Sequence, residues 1–81
     1  MKFYFVPNEQ DGEPEFFSEE NQRLLSDMFN QKFNDQIVYH YKQPPPDFVG
    51  GVTRYKINFI SRTVVNIDRI YGAYVYDLKM V

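Results

Sequence analysis

The chain contains no cysteine, and its one histidine is His40. Without cysteine there can be no disulfide, no thiolate metal ligand and no cysteine nucleophile. Small secreted domains usually rely on such cross-links, so a cytoplasmic setting is expected. A single histidine cannot supply the paired ligands of an H-E-x-x-H zinc site. It also has no sequence neighbour that marks it as a catalytic base. His40 stands between Tyr39 and Tyr41 in a strand-like run and is read as a sheet-face side chain without a chemical role.

Long apolar runs are also missing. Phe3-Tyr4-Phe5-Val6 follows a single lysine, and this run falls short of the roughly 7–15 apolar residues of a signal peptide. Nothing approaches the roughly 18 residues of a membrane span, so no membrane partner is expected. The adjacent glycines Gly50-Gly51 lead into Val52-Thr53-Arg54-Tyr55, a strand, and not into the G-K-[ST] and helix of a phosphate-binding loop. Glu9, Asp11, Glu13 and Glu15 recur at every second residue around Gly12. Aligned as a calcium loop, they put Pro7 at the first ligand position and Ser18 where a bidentate Glu belongs. The acids are therefore read as a solvated loop. No catalytic, cofactor-binding or metal-binding residue emerges, no cofactor is implied, and a non-enzymatic protein is expected.

What the chain does have is aromatic bulk. Seven Tyr and eight Phe among 81 residues suit a single small domain, 1–81, whose core draws on large rings. Charge is divided unevenly. Residues 1–40 carry three cations against eight acids, a net of −5, and residues 41–81 carry six against three, a net of +3. In so small a domain this reads first as attraction between the two halves.

Residues 3–6 read as a strand ended by Pro7. Residues 8–14 read as a polar turn tightest at Asp11-Gly12, and a hairpin from it onto Glu15-Phe16-Phe17 is the secondary reading. Ser18 is a good N-cap, and Glu19 and Glu20 suit the positive end of a helix dipole. Leu25, Phe29 and Phe33, joined by Leu24 and Met28, form an apolar stripe that predicts a helix over 19–33. Strands follow at 37–41, 52–60, 63–71 and 73–81. In the second of these Thr53, Tyr55, Ile57 and Phe59 share one face, with Arg54, Lys56 and Asn58 opposite. Irregular alternation near Asp68-Arg69 suggests a bulge. The order is β-α-β-β-β-β, an α+β fold. One amphipathic helix covers one face of a mainly antiparallel four- or five-stranded sheet. Leu25, Met28, Phe29 and Phe33 are expected to pack on Phe3, Phe5, Tyr55, Ile57 and Phe59. Asp68 and Asp77 are expected in salt bridges, with Arg69 and Lys79 as their nearest cations.

Two functional readings follow. A one-helix, one-sheet domain leaves tyrosines on its open face, and tyrosine and arginine are the residues interfaces favour. The first reading is a small binding protein, an inhibitor, adaptor or self-assembling accessory subunit of the kind bacteria and phages carry. Its candidate contact residues are Phe48, Val49, Tyr74 and Tyr76, and its partner is a protein or a second copy. Phe48 and Val49 stand out because Pro44-Pro45-Pro46 provides a stiff extended stem before them. The alternative is nucleic-acid binding through Arg54, Lys56, Arg62 and Arg69 among the tyrosines of residues 52–81. An acidic pI of about 5.2 weighs against it, because phosphate neutralisation supplies most of such affinity.

Overall fold

The computed structural model describes residues 1–7, 10–40, 52–68 and 74–81. Phe48, Val49 and Arg69 lie outside the described residues, as does the expected turn at Tyr71-Gly72. Helix α1 (Glu19–Asn30) is the only helix among them. It begins where the sequence indicates. The Ser18 hydroxyl accepts the Asn21 N–H at 3.2 Å, and Glu19 and Glu20 occupy the first turn.

The helix ends before the expected Phe33. The Phe33 N–H donates to Met28 O at 3.0 Å, and the Lys32 N–H donates to Phe29 O at 3.1 Å. Lys32 takes φ 60°, so the chain leaves through a left-handed residue, as in a Schellman ending. That turn lifts Phe33 off the helical row of Leu25 and Phe29. Phe33 is 48% exposed and does not pack beneath the sheet as its spacing implied.

The strands are β1 (Phe3–Phe5), β2 (Glu15–Phe16), β3 (Asp35–His40), β4 (Thr53–Asn58), β5 (Thr63–Asn66), β6 (Val75–Asp77) and β7 (Lys79–Met80). All described pairings are antiparallel. The α+β class and the one-helix arrangement are as expected, but the strands divide into two sheets, ordered β2-β1-β7 and β3-β4-β5-β6. The expected final strand is the reason. Up to Asp77 it pairs with β5; the Leu78 N–H then donates to Arg62 O at 2.8 Å, and from Lys79 the chain pairs with β1. One segment thus belongs to both sheets, and buried Leu78 marks the change of partner. β2 is the hairpin strand that Asp11-Gly12 allowed, with Gly12 at φ 64° in the connection. β5 stops at Asn66, short of the expected Tyr71.

The core lies between the sheets and α1. Phe3, Phe5, Leu25, Val38, Ile57 and Val64 are its fully buried side chains. Phe3 meets Phe29 and Phe59 edge-on at 6.0 and 6.2 Å, a favoured aromatic geometry. Leu24, Met28 and Phe29 pack against this cluster from the helix.

A side chain joins the helix to β1. Lys2 and Val81 exchange backbone hydrogen bonds at 2.8 and 2.9 Å, so alternation turns the Phe3 N–H and C=O away from β7. Gln22 meets them there. Its Oε1 accepts the Phe3 N–H at 2.7 Å, and its Nε2 donates to Phe3 O at 2.7 Å and to Phe17 O at 3.2 Å. The carboxamide fills the position of a strand residue opposite Phe3.

Three substitutions are read by urea denaturation. Gln22→Ala leaves these main-chain groups without protein partners and is expected to lower stability by about 1–3 kcal/mol. Gln22→Glu keeps an acceptor but loses the donor, and falls on the same side. Lys32→Gly removes a Cβ from a left-handed residue and is expected to raise stability by about 0.5–1 kcal/mol.

Candidate interaction surface

Alternation along β3, β4, β5 and β6 gives the four-stranded sheet two chemically distinct faces. The inner row Gln36, Ile57, Val64 and Tyr76 crosses all four strands in register, with Ile57 and Val64 fully buried. The matching outer row is Ile37, Lys56, Val65 and Val75. Beside it Tyr39 stands opposite Arg54, and Asp35 stands opposite Asn58. Ile37 is 46% exposed, Tyr39 57% and Val75 59%. The helix packs on the inner side, so this outer face has no protein cover among the described residues.

Two ion pairs lie on the outer face, whereas Asp77, on the same face, forms no ion pair among the described residues and does not bridge to Lys79 as expected. Arg54 binds Asp68 through Nε and Nη2, at 2.8 and 2.7 Å to Oδ1, and the Arg54 backbone N–H reaches Oδ2 at 2.7 Å. These hydrogen bonds hold the Asp68 carboxyl below its ordinary range and the Arg54 guanidinium above its own. Lys56 Nζ lies 3.5 Å from Asp35 Oδ2. Asp68 thus pairs with Arg54 on β4; Arg69, its expected partner, lies outside the described residues. The reach of Asp68 is set by the turn after β5, where the Asp68 N–H donates to Asn66 Oδ1 at 3.0 Å. Arg62 lies in the β4–β5 turn at φ 56°. That turn is shaped by Asn58 Oδ1, which accepts the N–H groups of Ile60 and Ser61, each at 2.9 Å. Of the four cations considered for nucleic acid, two thus carry carboxylates, one sits in a turn, and Arg69 is outside the described residues.

Tyr74 and Tyr76 stack with ring centroids 6.3 Å apart and planes 18° from parallel. Tyr76 is half-buried, with its ring 5.5 Å from Phe5, so most of its area serves the core. Tyr74 is the exposed member. Ile37 and Tyr39, absent from the sequence-based contact set, show more surface than Tyr76. Their position on the outer face of a β-strand is the signal that could have found them.

His40 faces inward. Its ring is 5% exposed and is met edge-on by Phe5, Phe17 and Tyr55. Nε2 lies 2.9 Å from Glu15 Oε1; with the carboxylate ionised, Nε2–H is the donor. Nδ1 is buried without a hydrogen-bond partner among the described residues. Glu15, read from sequence as part of a solvated acidic loop, instead ties β2 to the end of β3. The same carboxylate acts on Tyr55. Burial first, then the charges of Glu15 and Tyr76, push the Tyr55 phenol up to about 12.

Among the described residues no group of three metal-binding side chains is assembled, and no helix is long and apolar enough to cross a membrane. No protein-family model, curated protein or solved structure matches this chain.

The raised Tyr55 value has a signed consequence. In the unfolded chain a tyrosine ionises near its ordinary 10.0, while folded Tyr55 holds its proton to about 12. Stability is fully present below pH 10 and declines as pH rises through this window, because the unfolded state then binds fewer protons. Urea denaturation across this range is expected to show the decline, and Tyr55→Phe is expected to flatten it.

Proposed function

We propose that this is a non-enzymatic binding protein that engages a protein partner through the outer face of its four-stranded sheet. The observation that carries the reading is the outer row Ile37, Lys56, Val65 and Val75 flanked by Tyr39. It combines exposed aliphatic side chains, a tyrosine and two ion pairs on one sheet face. Exposed apolar side chains gathered on one sheet face and rimmed by polar groups mark interaction sites. Tyrosine offers a large contact area with few rotatable bonds to fix. The Arg54–Asp68 and Lys56–Asp35 pairs supply polar groups already held in place, which lowers the ordering cost of association. Inhibitor, adaptor and self-assembling subunit all fit this mode of action.

Nucleic-acid binding is supported less well. Arg54 and Lys56 would have to leave Asp68 and Asp35 to neutralise phosphates, and the chain is acidic overall.

The test uses face variants that leave the core alone. Tyr39→Ala and Val75→Lys are expected to keep the wild-type circular dichroism and melting curve. Each is expected to reduce quantitative affinity capture from host lysate, or self-association by sedimentation, about tenfold or more. A wild-type chain that sediments as a monomer and retains no partner sinks the reading, as does retention that both variants leave unchanged. Filter binding to single-stranded DNA and RNA at low salt, where electrostatic affinity is greatest, is expected to show no complex.

A further inference from the structure

β3 is an edge of the four-stranded sheet among the described residues. The Phe59 N–H donates to Asn34 O at 2.9 Å, so the even-numbered residues of β3 exchange main-chain bonds with β4 and the odd-numbered ones turn theirs outward. Asp35, Ile37 and Tyr39 therefore present an open ladder. Such a ladder is a template for another strand. Two of its three carbonyls are occupied by side-chain amides: Asn21 Nδ2 donates to Tyr39 O at 2.7 Å, and Gln36 Nε2 donates to Ile37 O at 3.0 Å.

We propose that Asn21 and Gln36 hold the β3 edge closed against a second copy of this chain. A second copy is the matching occupant because antiparallel pairing about a two-fold axis at Ile37 is self-complementary. It sets Ile37 against Ile37 and Tyr39 against Asp35, and aligns every outward N–H and C=O of one strand with those of the other. It would also join two exposed apolar side chains on the outer face. The guard comes from two directions. Asn21 projects from the first turn of α1 and blocks the Tyr39 end, while Gln36 covers the centre from within the strand. The other three edges among the described residues are protected by brevity: β2 spans Glu15–Phe16 and follows Pro14, β6 spans Val75–Asp77, and β7 spans Lys79–Met80. Short strands and edge prolines limit pairing. β3, with six residues, is the edge that needs a guard. Edge closure concerns main-chain groups and stands apart from binding at the sheet face.

The experiment compares wild type with the Asn21→Ala, Gln36→Ala double variant by light scattering over a concentration series and by amide hydrogen exchange. The expected result is a mass that climbs with concentration toward twice 9.7 kDa in the variant, beyond any rise in wild type. The Ile37 and Tyr39 amides should then exchange about tenfold or more slowly than in wild type. Adding Ile37→Lys should remove the rise above the wild-type curve, because like charges then face each other across the axis. A folded double variant with wild-type mass and wild-type exchange at both amides overturns the proposal. So does a rise in mass that Ile37→Lys leaves intact. Should the double variant lose its circular dichroism signal, Gln36→Ala alone, which leaves the helix unaltered, is read by the same criteria.

Discussion

The architecture depends on the carboxamide of Gln22. Phe3 is fully buried and anchors an aromatic cluster with Phe29 and Phe59, yet its main-chain groups face a side where β2 has already ended. A buried peptide group without a partner is costly. Gln22 meets both Phe3 groups and also holds Phe17 O. Through one side chain, the first turn of α1 is fixed to β1 and to the segment that leads into the helix. The direction of α1, and with it the placement of Leu25, Met28 and Phe29 over the core, follows from that joint.

The preceding residue works on the other sheet. Asn21 reaches Tyr39 O at the end of β3, so adjacent helical residues grip the two sheets at once. Glu15 and His40 add a third link, between β2 and β3. At the opposite side the sheets are continuous through the chain that changes partner at Leu78. A small domain with few residues to spare thus closes its core by side-chain amides on one side and a shared strand on the other. The helix and these links occupy the inner side, which leaves the outer face of β3, β4, β5 and β6 open among the described residues.

Much of this was legible in the chain. Ser18, Glu19 and Glu20 marked the start of α1, and the alternation of Thr53 to Phe59 assigned Tyr55 and Ile57 to the core, because both signals are local. The helix end was not legible. Phe33 continues the apolar spacing, and only the left-handed turn at Lys32, a position glycine would have advertised, removes it. The division into two sheets was hidden because Val75 to Met80 alternates without interruption while its hydrogen-bond partners change. Tertiary pairs were hardest. Arg54 with Asp68, and Glu15 with His40, depend on register and on turn length, and nothing local distinguishes Glu15 from the acids before it. The exposed face was foreseen as a consequence of having one helix, but Ile37 and Tyr39 on it were not singled out.

The most direct measurement on the central joint is native-state hydrogen exchange at the Phe3 amide. If Gln22 serves as the missing strand partner, this amide is protected to nearly the level set by global unfolding, like the amides within paired strands. Exchange at the rate of an unpaired, freely fraying terminal amide would contradict the account.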